Sequence, residues 1–328
     1  MVEKFNILFT NVGRRVALIQ AFREAMARLD ISGKILGVDA NHLSPAFYIT
    51  DQSFPICPIQ KDEYISRLLE ICNREKIKLL ISLLDTDLLK LAESREVFRE
   101  HGTFVLISSP EVVRIARDKY LTQHFFSENN IFTPHIFTYE EAVRRNRFPL
   151  FIKPVDGSAS LFTFRVDDQE ALTFLSTHVP RPIIQEFVIG PEFTLDLFID
   201  LDSNVRAVVP RKRLEVRAGE VSKSQIVLDT EILKAGLKAG EALAAIGGLG
   251  PINVQSIWPT EEGGGGKFIE INPRFGGGSH LSLKAGYPFP QWIIEMILGL
   301  ELSPLPHDLN DGLTMLRYDE AIFVRVDR

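Results

Sequence analysis

The chain opens with an apolar run, a short loop, an amphipathic helical pattern and a second apolar run, and this order constrains the fold more than any other feature. Phe5 to Thr10 reads as a buried strand, Asn11-Val12-Gly13-Arg14-Arg15 as a loop, Val16 to about Leu29 as a helix, and Ile35 to Val38 as a strand ending at Asp39. Strand, loop, helix, strand is the pattern of a right-handed parallel crossover. The pattern continues with a helix over Glu63 to Glu75 and strands over Leu79 to Leu84 and Thr103 to Ile107, which predicts a small doubly wound parallel sheet over residues 1–110. A dinucleotide would suit such a sheet, with Asp39 as the ribose acid, but the first loop offers Gly13 as its only glycine. Arg14 and Arg15 at the head of the first helix could instead meet an acidic substrate, or simply be a solvated basic turn.

With 328 residues the chain is long enough for more than one domain, and a net charge of -6 argues against broad affinity for nucleic acid. Its two cysteines, Cys57 and Cys72, are too few for a disulfide framework, and no apolar stretch approaches the roughly 20 residues needed to span a bilayer. A cytoplasmic protein is expected, with its N-terminus serving as a first strand. Past residue 110 the pattern changes from alternating strands and helices to strands grouped in hairpins. The expected division is a linker-and-lid unit over 111–185 and a larger antiparallel unit over 186–328. Ser109-Pro110-Glu111 is a helix start, with Ser109 as cap and Pro110 at the first helical position.

Four stretches carry chemistry. Phe148 to Pro154 is an apolar strand containing Lys153, and the small-residue loop Val155 to Ser160 (VDGSAS, with Asp156, Gly157 and Ser158) could turn its backbone toward a phosphate. Gln185 to Glu192 (QEFVIGPE) runs from one strand into the next, where backbone could pair with a base edge and Glu192 with ribose hydroxyls. Pro210 to Ser224 is a basic segment holding Arg211 and Arg217, equally suited to substrate or to solvent. In Phe268 to Gly278, strand alternation puts Glu270 and Asn272 on one face, with Arg274 beyond the turn at Pro273. Gln255 on the preceding strand shares that face through a hairpin.

With Asp118-Lys119, FIKP ending at Pro154, QEFVIGPE, INVQ ending at Gln255, and EINPR from Glu270 to Arg274, the chain resembles the ATP-grasp superfamily. Within it, the similarity is to a single synthetase unit of the carbamoyl phosphate synthetase large subunit, from about Asn6 to Gly299. The resemblance implies a parallel pre-ATP-grasp domain followed by a two-subdomain α+β ATP-grasp fold with antiparallel sheets. It implies that Lys119 and Lys153 contact ATP phosphates under the VDGSAS loop. Glu186 and Val188 would meet adenine, Glu192 the ribose. Gln255, Glu270 and Asn272 would hold Mg²⁺ (or Mn²⁺), and Arg274 the transferred phosphoryl group. Two departures are visible: the loop has one glycine where the synthetase is richer, and the chain holds one such unit rather than two.

The expected activity is therefore ADP-forming ligation, in which a carboxylate is activated as an acyl phosphate and taken by an amine. Catalysis would rest on Lys153, Asn272 and Arg274, and substrate contacts on Arg211, Arg217, Gly277 and Ser279; His280 reads as a loop histidine. Phosphoryl transfer needs charge and positioning rather than a side-chain nucleophile. The alternatives are an ATP-binding subunit of a split carbamoyl phosphate synthetase, acting on bicarbonate with a glutaminase or second synthetase chain, and, more remotely, a dinucleotide oxidoreductase. A homodimer would be in keeping with the superfamily.

Overall fold

The computed structural model describes residues 4–157, 161–217, 219–259 and 265–325. Its first unit is β1 (Asn6–Thr10), α1 (Val16–Arg28), β2 (Ile35–Asp39), β3 (Gln52–Pro55), α2 (Tyr64–Glu75), β4 (Ile77–Ser82), α3 (Leu88–Glu100) and β5 (Phe104–Leu106). The five strands are parallel in the order β3-β2-β1-β4-β5. They are buried runs rather than alternating ones, because helices cover both faces. The order reverses between β1 and β4, so a crevice opens beyond their C-terminal ends, where Arg14, Arg15 and the Leu83-Leu84-Asp85 segment lie. The sequence reading missed β3 and α3. β3 is four residues long, and α3 carries charge around most of its circumference, so neither has a strong period.

Next come α4 (Pro110–Arg117), α5 (Lys119–Glu128), β6 (Ile136–Phe137), α6 (Tyr139–Arg145), β7 (Leu150–Pro154), β8 (Phe164–Val166), α7 (Gln169–His178) and β9 (Pro182–Glu186). Ser109 caps α4, as expected, by accepting from the Val112 N–H. Asp118 caps α5 by accepting from the Tyr120 and Leu121 N–H groups, which fixes Lys119 as the first residue of that helix. The small antiparallel sheet runs β6-β9-β7-β8 and packs Ile152, Val166 and Ile184 against α6 and α7. Although they precede this sheet in the chain, α4 and α5 bury Val112, Phe125 and Phe126 in the core of the next one.

That next sheet is built from β10 (Glu192–Ile199), β11 (Val205–Arg217), β12 (Glu220–Ile226), β13 (Gly250–Ile257), β14 (Lys267–Asn272) and β15 (Thr314–Leu316), in the order β14-β13-β10-β11-β12-β15. Three helices accompany it: α8 (Thr230–Ala245), α9 (His280–Lys284) and α10 (Phe289–Ile297). Along β10, Phe193, Leu195, Leu197 and Ile199 face α8, α4 and α5. The alternate residues Glu192, Thr194 and Asp196 face the crevice, while Phe198 at the far end joins Phe289 and Trp292 in a core shared with α1. One face of a single strand thus changes from polar to apolar along its length, and the polar part is where the site lies.

Candidate active site

The register across the large sheet brings its polar side chains together. Asn253 lies opposite Asn272 and Asp196, Gln255 opposite Glu270 and Thr194, and Thr194 opposite Arg211. A bulge sharpens this. Gln255 pairs with Glu270 but the next residue, Ser256, pairs with Phe268, leaving Ile269 as the extra residue. Phe268 therefore enters the apolar core while Glu270, two residues on, faces the cleft, where regular alternation would have put both on one side. The cleft measures about 460 Å³ and is bounded by the large sheet, β7 of the small sheet and the crevice of the parallel sheet.

At one end stand two lysines. Lys153 is buried, and desolvation, with Lys119 adding like charge and Glu270 opposing, pulls its ammonium down to about 8. Lys119 is lowered as well, chiefly by burial, and among the described residues its Nζ donates to the carbonyls of Val155 (3.2 Å) and Gly157 (2.8 Å). Two clustered cations, on both of which Glu270 is the carboxylate with the strongest field, are suited to a polyphosphate. Gln255 Oε1 accepts from Arg213 Nη1 at 3.1 Å, and Arg213 Nε lies 3.2 Å from the Glu192 carboxylate. Arg274 pairs with Asp85 and so ties the large sheet to the loop after β4.

At the other end, Arg211 is buried and spans Asp196, Nε to Oδ2 at 2.7 Å and Nη2 to Oδ1 at 2.9 Å, while Ser282 also donates to Asp196. The Gly276-Gly277-Gly278 turn follows β14 and lies against these groups so closely that a Cβ would fall 2.3 Å from Asn253 Nδ2 at Gly276 and 2.6 Å from Arg211 Nη1 at Gly278. Glycine is required there by close approach. Arg15 completes this end; its guanidinium is lowered to about 10, mainly by burial and next by Arg274.

Two family models match the chain: that of the PylC-like, N-terminal domain over residues 7–106 and that of the ATP-grasp domain over residues 116–278. The chain belongs to the ATP-grasp superfamily. Among curated relatives, the carbamoyl phosphate synthase large chain of Methanobrevibacter smithii is 26% identical over 63% of this chain and 22% of its own length. The D-alanine–D-alanine ligase of Fusobacterium nucleatum is 25% identical over 52% of this chain and 59% of its own. The chain thus spans less than two thirds of either. In fold, it is similar to the biotin carboxylase domain of Hydrogenobacter thermophilus 2-oxoglutarate carboxylase, solved with MgADP and bicarbonate (TM-score 0.75, 15% identity, 95% of this chain and 74% of that one). It is also similar to the N5-carboxyaminoimidazole synthetase of Staphylococcus aureus, solved with ADP (0.72, 13%, 92% and 80%).

ATP and Mg²⁺ are the cofactors of ATP-grasp enzymes, and the residues of the cleft fit both. Gln255, Glu270 and Asn272 offer oxygen from two adjacent strands, the donor type that Mg²⁺ prefers; it commonly takes one or two carboxylates and completes its shell with water and phosphate. No cluster of three or more His, Cys, Asp or Glu occurs among the described residues.

Of the residues expected from the sequence, the ATP-grasp cleft brings together Lys119, Lys153, Gly157, Glu192, Arg211, Gln255, Glu270, Asn272, Arg274 and Gly277. Asp156 lines the adjoining niche beside Asp85 and Glu270, with its carboxylate held by Arg181. Glu186 is paired with Lys267, and neither it nor Val188 lines the cleft. Ser158 lies outside the described residues. Two substrate expectations change. Pro210 to Ser224 spans the hairpin of β11 and β12, and although Glu220 lines the cleft, Arg217 opposite it is exposed beside Asp319 and does not. Ser279 is buried and likewise outside the lining. His280 begins α9 and is held down to about 4, first by burial and then by Arg317, so it is neutral at physiological pH. The sequence reading passed over Asp85, Thr194, Asp196 and Glu220. The alternation of Glu192, Thr194 and Asp196 against apolar neighbours was the available signal for two of them; Asp85 and Glu220 arrive from separate segments and carry none.

No helix among the described residues is long and apolar enough to cross a membrane.

Proposed function

We propose that the chain is an ADP-forming carboxylate–amine ligase. The observation that carries this reading is the cross-strand set Gln255, Glu270 and Asn272 facing the half-buried Lys119 and the buried Lys153 across one cleft. Lys119 and Lys153 hold the ATP phosphates beneath the loop that begins at Val155, and Glu192 takes the ribose. Gln255, Glu270 and Asn272 hold Mg²⁺, which neutralises charge on the phosphates when bound. A carboxylate oxygen then attacks the γ-phosphorus and the bond to ADP breaks. Arg274, fixed by Asp85, and Lys153 meet the charge that develops on the phosphoryl oxygens. An amine attacks the acyl carbon, phosphate departs with the former carboxylate oxygen, and the amine gives up a proton.

The test is ADP release from a panel of carboxylates crossed with amines, measured against an ATP-only blank. A pair that raises ADP release well above the blank supports the reading; ATP turnover indifferent to every acid overturns it. The similarity to carbamoyl phosphate synthase favours a second reading, in which bicarbonate and ammonia are the substrates and a glutaminase or second synthetase chain assists. Bicarbonate with ammonia therefore belongs in the panel.

A further inference from the structure

The end of the cleft away from the lysines is more basic than activation of a simple acid requires. Arg14 and Arg15 come from the head of α1, Arg317 from just past β15, and Arg211 from β11. One carboxylate, Glu220, serves three of these guanidiniums: Arg317 Nη1 lies 3.1 Å and Arg14 Nη2 3.5 Å from its Oε2, and its field is the one that holds up the charge of Arg15 most. Arg15 itself makes no side-chain hydrogen bond or ion pair among the described residues, although it is partly buried in the cleft wall. A desolvated guanidinium without a partner is costly to keep unless an anion meets it. Arg211 adds to the deficit, because Asp196 engages its Nε and Nη2 while its buried Nη1 has no partner. All of these except Arg317 line the same cavity, and the glycine turn keeps that space free of side chains.

The polyphosphate does not account for this surplus. Glu220 lies on β12, four strand spacings from Glu270 on β14, or about 19 Å along the sheet. We propose that this end of the cleft is a subsite for a second anionic group of the acid substrate, with Arg15 as its principal contact and Arg211 Nη1 beside it. Glu220 is a positioning residue that aligns Arg14 and Arg317. The inference rests on the ligase reading above and specifies its substrate class: an acid with one carboxylate to activate and another anionic group, carboxylate or phosphate, at its far end.

Calorimetry on the full chain with MgADP present separates the possibilities. Glutarate and 3-phosphoglycerate serve as dianionic probes and butyrate as the single-charge control. Glutarate, 3-phosphoglycerate or both should bind roughly tenfold or more tightly than butyrate, and which of them does so identifies the second group. Arg15→Gln should remove that preference, and Arg15→Lys should restore part of it, with MgADP affinity unchanged in both. Arg317→Gln, at the sheet edge, is a second variant expected to weaken dianion binding more than butyrate binding. Equal binding of all three acids, or a preference untouched by Arg15→Gln, overturns the subsite while leaving the ligase reading in place. Failure of the unaltered chain to bind MgADP overturns both.

Discussion

Both ends of the cleft concentrate positive charge, and they keep it in different ways. At the proposed nucleotide end, Lys119 donates to two backbone carbonyls, Glu270 is the carboxylate that acts most strongly on both Lys119 and Lys153, and burial lowers both. At the far end, Arg211 is locked by two hydrogen bonds to Asp196, whereas Arg15 has no such partner among the described residues. Compact lysine charges that give up protons readily suit a ligand that comes and goes, and a paired guanidinium suits permanent structure. Arg15 is a guanidinium left in the lysine situation, which is what separates it from Arg211.

The largest expected effect bears on the nucleotide end. Glu270→Ala should reduce substrate-dependent ADP formation by about a hundredfold to a thousandfold with little change in melting temperature, as fits a carboxylate that would hold the Mg²⁺ neutralising the phosphates. Full activity in that variant would remove Glu270 from the metal set. Next in size is the structural pair: Asp196→Ala should cost about 3–5 kcal/mol in chemical denaturation, because it leaves the Arg211 charge buried and unpaired. Arg15→Gln should cost under about 1 kcal/mol in the same assay, there being no partner to orphan. If both variants lost the same stability, the contrast between the two arginines would fail.

A smaller effect follows from Lys153. Its folded value near 8 lies below the ordinary 10.5, so between those values the unfolded chain holds more protons, and stability contributed by this group rises with pH across that window. Nucleotide affinity should move oppositely. Phosphates favour the charged lysine, so ATP binding should weaken as pH passes 8 and be accompanied by proton uptake, detectable by calorimetry in buffers of different ionisation enthalpy. Lys153→Arg should bind with no proton uptake. The smallest effect concerns His280, whose value near 4 means that acidification from 6.5 toward 4 favours the unfolded chain, which takes up the proton first. Thermal melts should show a loss over that range that His280→Gln lessens.

The nucleotide end was also the more legible in sequence, for a physical reason. Lys153, Gln255, Glu270 and Asn272 each sit in a short strand whose own period says which way it faces, Lys119 came from the family resemblance, and hairpin pairing joins β13 to β14 without help from distant chain. The parallel sheet was legible likewise, apart from its short edge strand β3 and the charged α3. The far end is assembled from the head of α1, the tip of the β11–β12 hairpin, the glycine turn and the segment after β15. No local pattern announces that these meet. The basic run from Arg211 to Arg217 looks uniform in sequence, yet the long strand buries Arg211 against Asp196 and leaves Arg217 in solvent. The bulge at Ile269 was equally hidden, since only the partner strand reveals it.

The claim at the centre of this account is that the γ-phosphate of ATP is taken by a substrate carboxylate. It is tested most directly by labelling the carboxylate oxygens of the acid that stimulates ADP release with ¹⁸O and examining the phosphate by mass spectrometry. One ¹⁸O in each inorganic phosphate formed alongside the amide is the result expected, and phosphate whose oxygen comes from water instead would contradict the account.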